Sequence, residues 1–209
     1  GRPIPSGGVG PRGAAALAIV LGVAAFVSAG AAGGAAPLVL LVWTVLLLAY
    51  EGGLKRTGLP GNMLVSAVAA SSLLFGAHLG GRVAAGIAPA LFAFFLHLGR
   101  EIVKDIADVP GDREGARRTL PIRIGDRRAL LVSALPLSLL VLLSPVPFLI
   151  GLYSAAYLVI VLVGVDLVLA LAVGRCIRRP DRSNIGLLSH LLKGQMVIGM
   201  TAMFVGRSA

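Results

Sequence analysis

Phe148-Leu-Ile-Gly-Leu-Tyr-Ser-Ala-Ala-Tyr-Leu-Val-Ile-Val-Leu-Val-Gly-Val-Asp166-Leu-Val-Leu-Ala-Leu-Ala-Val173 is a long apolar run interrupted by a single charged side chain. A helix needs about 20 mostly apolar residues to cross the hydrocarbon core of a bilayer, and this run exceeds that length. The rest of the chain repeats its character. Of 209 residues, 57% are hydrophobic and only 13% charged, with a mean hydropathy of +0.93. Lipid admits only helices and closed barrels, because every backbone N–H and C=O must be satisfied within the chain. No stretch alternates strictly in the barrel manner. The expected fold class is therefore all-α, a multi-pass transmembrane helix bundle.

Outward from that run, the same criterion predicts about seven spans: residues 14–28, 35–50, 62–79, 83–100, 129–144, 148–173 and 186–205. The second is short and is entered through a Gly/Ala-rich run, residues 30–36. The chain opens on polar, Pro/Gly-rich residues, unlike a cleavable signal peptide.

A net charge of +10 invites a nucleic-acid reading, but its distribution points elsewhere. Threaded through seven spans, one side receives Arg2, Arg12, Lys55, Arg56, all of residues 100–128, and Arg175, Arg178, Arg179 and Arg182. The other side receives only Arg82 and Arg207. This is the positive-inside bias, which makes the basic side cytoplasmic and the expected location a cell membrane. The expected partner is the lipid bilayer, with no nucleic acid. A lone Cys176 excludes an intramolecular disulfide, and His78, His97 and His190 are too scattered for a zinc site.

Chemistry is concentrated in the charged loop, residues 100–128. Leading into it, His97, Arg100, Glu101, Lys104, Asp105 and Asp108 fall at offsets 0, 3, 4, 7, 8 and 11, one face of a helix. A charged stripe on an otherwise apolar helix avoids lipid and faces the bundle interior or a cavity. Pro110-Gly111 is expected to stop the helix, with Asp112 just beyond the turn. Asp105, Asp108 and Asp112 are then expected to converge. Three carboxylates without sulfur or imidazole suit a hard cation, Mg²⁺ before Ca²⁺ or Zn²⁺. Arg113, Arg117, Arg118 and Arg123 follow closely, and acid plus base around a metal is the composition of a diphosphate site. The competing reading is a solvated loop with incidental ion pairs. An EF-hand is excluded by the spacing.

Arg100-Glu-Ile-Val-Lys-Asp-Ile-Ala-Asp-Val-Pro-Gly-Asp-Arg113, continuing to Arg118-Thr-Leu-Pro-Ile122, resembles the second aspartate motif of the UbiA superfamily of intramembrane prenyltransferases. Tyr50-Glu-Gly-Gly-Leu-Lys-Arg56 with Gly61-Asn62 resembles its cytoplasmic loop between helices. Arg2-Pro-Ile-Pro-Ser-Gly7 resembles the segment that follows its first aspartate motif. Within the superfamily the pattern is most similar to the digeranylgeranylglyceryl phosphate synthase branch, with Ala107 and Pro110 where that branch carries glutamates. Tocopherol- and chlorophyll-type enzymes are the nearest competitors.

The resemblance implies a nine-helix fold, of which residues 1–209 would be a single domain lacking two helices and the first aspartate motif. On that expectation the chain alone is inactive. It further implies Mg²⁺-dependent transfer of a prenyl, preferentially geranylgeranyl, group from a prenyl diphosphate to geranylgeranylglyceryl phosphate; an aromatic or chlorin acceptor is the alternative. Asp105, Asp108 and Asp112 would hold metal. Tyr50, Lys55, Arg56 and Asn62 would face the diphosphate with Arg100, Lys104 and Arg113, although Lys104 and Arg113 equally suit balancing the aspartates. Arg117, Arg118 or Arg123 would hold an acceptor phosphate. Asp166 is either functional or paired with Lys193, and His190 with Lys193 either lines a pocket or bonds a neighbouring helix. A small transporter is the reading from another class; it predicts more charge near the bilayer midplane than Asp166 and Lys193 supply.

Overall fold

A computed structural model describes residues 7–8, 10–115 and 117–207; Arg2-Pro3-Ile4-Pro5-Ser6 of the N-terminal motif lies outside them. The described residues form helices joined by short turns. Six helices are long and apolar enough to cross a membrane, and Ala36–Gly52 is a shorter apolar one. These seven answer the seven expected spans in order. Two compact units are distinguished, Gly1–Ala49 and Tyr50–Ala209.

In the first unit, α1 (Pro11–Ala32) begins with proline in its first turn, where the missing N–H removes no helical bond. Gly33, at φ +73°, ends it, and its N–H closes on the carbonyls of Ala29 and Gly30. No residue of α1 is buried. A helix that is apolar all round without a polar face is at home in lipid. Most of α2 (Ala36–Gly52) completes this unit.

The second unit is built around α4 (Val83–Glu114), a 32-residue helix. It packs against α3 (Leu59–Leu79), α6 (Asp126–Leu143) and α10 (Arg182–Val205). Ile102, Val103 and Ile106 of α4 enter a core with Leu130, Leu137, Leu188 and Leu192. Between lipid-immersed helices close packing replaces the hydrophobic drive, so small residues mark contacts. At Gly99 an added Cβ would stand 2.6 Å from a Leu137 methyl, which lets α4 and α6 meet backbone to side chain. The short reversals between consecutive helices bring the C-termini of α4 and α9 (Leu167–Arg178) and the N-termini of α3, α6 and α10 to one end of the bundle. That end carries most of the arginines.

Three expectations are corrected. First, Pro110-Gly111 does not stop the helix, because α4 runs on to Glu114. A proline forfeits one intrahelical bond, and the turn beyond it is anchored by Asp112, buried and bonded to Arg117. The charged loop is largely helical, with α5 (Leu120–Ile124) formed inside it. Second, the span expected from residue 148 begins later. The short α7 (Val146–Leu149) is followed by a reversal at Gly151, φ +76°, before α8 (Ala155–Ile160). A π-helical turn, Val161–Asp166, joins α8 to α9. A uniformly apolar run has no periodicity to mark that reversal. Third, the Asp166–Lys193 pair is absent. Ser144 Oγ donates to Asp166 Oδ2 at 2.6 Å, while Lys193 is exposed, as is His190.

Candidate active site

The turn before α3 folds tightly. Thr57 Oγ1 donates to the Leu54 carbonyl at 2.6 Å, and α3 begins directly beneath it. A Cβ on Gly61 would lie 2.4 Å from the Leu54 carbonyl oxygen and 3.4 Å from the Tyr50 ring, so only glycine lets helix and turn approach this closely. One residue on, Asn62 is 3% exposed and donates from Nδ2 to Asp105 Oδ2 at 2.9 Å. That bond joins the turn to the acidic face of α4.

Other groups gather around it. Lys55 Nζ donates to both Glu51 carboxylate oxygens, at 2.9 and 3.0 Å, and lies 5.8 Å from the Tyr50 ring centroid. Tyr50 stands in the electrostatic field of Glu101, Asp105 and Arg117. Glu101, 5% exposed, accepts from Arg100 Nη1 and from Lys104 Nζ. The ion pair of Lys104 is thus with Glu101, and its charge also reaches Asp105. Asp112, 4% exposed, accepts from Arg117 Nη1 at 2.9 Å. Asp105 feels Asp112 and Glu101 as like charges and Lys104 as an opposing one. Two buried polar atoms, Arg100 Nε and Thr119 Oγ1, have no partner among the described residues. A buried polar atom without a partner is costly, and both can donate to an anion.

The expected three-carboxylate cluster is not formed. Among the described residues no three His, Cys, Asp or Glu side chains gather closely enough to hold one ion. Because α4 continues through Pro110, Asp105 and Asp112 are seven residues apart on one helix, a rise of about 10 Å. Asp108 lies between them, half-buried and engaged in a contact of its own. In donor chemistry the carboxylates still fit a hard cation, and Asp105 lies in the electrostatic field of Asp112 and Glu101. Arg56, Arg113, Arg118 and Arg123 are exposed at the same end and do not join the buried cluster. Sequence reasoning missed Glu101 as the hub, although it stood at offset four of the stripe. Thr119 lies within the Arg118–Ile122 part of the motif, but nothing in its residue type singled it out as a site residue.

One helical turn below Arg100, His97 feels both Arg100 and Glu101 and lines a cavity of about 250 Å³. Its other walls are mainly apolar, among them Phe92, Leu96, Leu140, Val161 and Met196. At its far end Tyr157 donates to the Ser144 carbonyl at 2.7 Å. A cationic, hydrogen-bonding head region above an apolar chamber suits an amphiphile with an anionic head.

The sequence pattern of the UbiA prenyltransferase family matches residues 1–192. Digeranylgeranylglyceryl phosphate synthase of Halobacterium salinarum is 37% identical over 210 residues, covering 99% of this chain and 72% of that protein. Its counterpart from Natronomonas pharaonis is 39% identical, covering 100% and 73%, and that from Methanothermobacter thermautotrophicus is 33% identical, covering 100% and 72%. A solved structure described as concerning digeranylgeranylglyceryl phosphate synthase in membranes superimposes with a TM-score of 0.77. It shares 27% identity and covers 98% of this chain and 73% of that one.

Proposed function

The chain belongs to the UbiA prenyltransferase family, and from that premise we propose that it transfers a geranylgeranyl group from geranylgeranyl diphosphate to the free hydroxyl of geranylgeranylglyceryl phosphate. The protein is a multi-pass membrane prenyltransferase; its donor, acceptor, metal and orientation belong to the proposal. The observation that carries the reading is the Asn62–Asp105 bond, with Asp105 in the field of Glu101, the partner of Arg100. Arg100 Nε has no partner among the described residues, and Arg100 stands one helical turn from His97 of the apolar chamber. The name shared by the synthases described above supports the acceptor.

In the reaction the allylic C1–O bond to diphosphate breaks, an ether bond forms from C1 to the glyceryl hydroxyl oxygen, and the hydroxyl proton departs. Mg²⁺, when bound, would supply Lewis acidity and neutralise the leaving diphosphate. Asp105 would be its ligand from the chain, with Asp108 and Asp112 spaced farther along α4 as separate oxygen donors rather than a closed three-carboxylate cluster. Arg100, Lys55 and Thr119 donate to diphosphate oxygens, and Tyr50, Arg56, Lys104 and Arg113 add donors or charge around them. Glu101 positions Arg100 and Lys104. Asn62 positions Asp105. The chamber walls keep water from the reactive carbon. Arg117, Arg118 or Arg123 holds the acceptor phosphate on the cytoplasmic side, and the whole chain acts as one domain.

Membranes of cells expressing the gene in full, supplied with labelled geranylgeranyl diphosphate and geranylgeranylglyceryl phosphate, are expected to accumulate label in the diether phosphate. Chelation should stop this and added Mg²⁺ restore it. Label arriving only in a quinone or chlorin would overturn the acceptor.

A further inference from the structure

The face of the bundle formed by α6 and α9 takes no part in the chamber or its polar head. Between these helices lies an apolar groove of about 410 Å³, walled by Leu137 and Val141 on one side and Leu169 and Val173 on the other. It shares Ala170 and Gly174 with a second hollow, of about 610 Å³, bounded by Arg175, Arg178 and Arg179. A hydrocarbon groove thus runs directly into a basic notch at the arginine-rich end of the bundle.

The notch is organised. Arg175 Nε donates at 2.7 Å to Oδ1 of Asn184, which is 5% exposed. Asn184 in turn bonds Asp181 through both its backbone N–H and Nδ2, and Nδ2 also donates to the Arg179 carbonyl. The nearest acid in sequence is therefore occupied as the cap of α10, and no carboxylate lines the notch. Gly174 has nothing within 4 Å of where a Cβ would stand, which leaves the passage from groove to arginines open.

We propose that α6 and α9 seat one anionic phospholipid of the surrounding bilayer, its phosphate on Arg175, Arg178 and Arg179 and one hydrocarbon chain along the groove. Basic pockets on the faces of transmembrane helices recognise anionic headgroups in this way. Positive-inside topology accounts for arginines at this end, but not for an apolar groove continuous with them or for an arginine clamped by a buried asparagine.

The protein, purified in detergent, is titrated with phosphatidylglycerol or phosphatidylcholine in mixed micelles, and retained lipid is counted by native mass spectrometry. One phosphatidylglycerol should be retained with a preference of roughly ten-fold or more over phosphatidylcholine. R178Q/R179Q should abolish the preference, and Gly174→Leu, which blocks the open passage, should lower retention of phosphatidylglycerol; unchanged thermal unfolding verifies that both variants are folded. Soluble glycerol phosphate should not compete, because it lacks the hydrocarbon half. Equal retention of the two lipids, an unchanged preference in the folded double variant, or displacement by a prenyl diphosphate would each overturn the proposal. The last outcome would put the lipid in the chamber instead.

Discussion

Glu101 is the buried counter-charge for two cations, Arg100 and Lys104. Converting it to glutamine keeps its shape and removes its charge, so Glu101→Gln is expected to cost about 1.5–3 kcal/mol of stability, seen as a lowered thermal unfolding midpoint in detergent. An unchanged midpoint with weaker diphosphate binding would mean that Glu101 serves the ligand rather than the fold. Asn62 does the reverse. Its side chain stabilises one carboxylate orientation, through a charge-assisted bond with Asp105. Asn62→Ala should leave the unfolding midpoint nearly unchanged and weaken Mg²⁺-dependent prenyl diphosphate binding by about ten-fold. Equal binding by wild type and variant, measured by calorimetry, would remove Asn62 from the site.

Two glycines mark close approaches between elements, and they should respond differently. At Gly61 the obstacle to a Cβ is the backbone carbonyl of Leu54, which cannot rotate away. Gly61→Ala should push the Lys55 turn off α3 and raise the KM for prenyl diphosphate more than it lowers kcat. At Gly99 the obstacle is a Leu137 side chain. Gly99→Ala forces that side chain to another rotamer, with an expected loss of about 1–3 kcal/mol and little change in KM. Thermal unfolding and steady-state kinetics on the two variants separate the cases, and a KM effect at Gly99 equal to that at Gly61 would contradict the assignment of the turn to the site. At this scale the helical register of α4 was legible, because His97, Arg100, Glu101, Lys104, Asp105 and Asp108 recur at helical spacing. The end of α4 was not legible. Proline is a strong local stop signal, yet Asp112 and Arg117 hold the last turn in place by a contact outside the helix.

For the whole molecule, the charge bias makes a topological prediction. Arg118 and Arg82 lie at opposite ends of the bundle, both exposed. In a Cys176→Ser background, Arg118→Cys should react with an impermeant maleimide only after cells are opened, and Arg82→Cys in intact cells. Labelling of both from the same side would refute the assigned orientation. The residue types alone determined that this chain is a helical membrane protein, that the charge collects at one end, and which stretches carry the family motifs. The first two conclusions rest on composition and periodicity, which are local properties of the chain, and the third on a resemblance of the quoted stretches to the family. Only the tertiary structure decided that Asn62 meets Asp105 across 43 residues, that Glu101 rather than an aspartate answers Lys104, and that Asp166 bonds Ser144 instead of Lys193. It also decided that the aspartates are strung along a continuous helix instead of gathered at a turn. Such pairings depend on which helix faces meet and on how closely glycines let them approach, and both are settled by packing between elements distant in sequence.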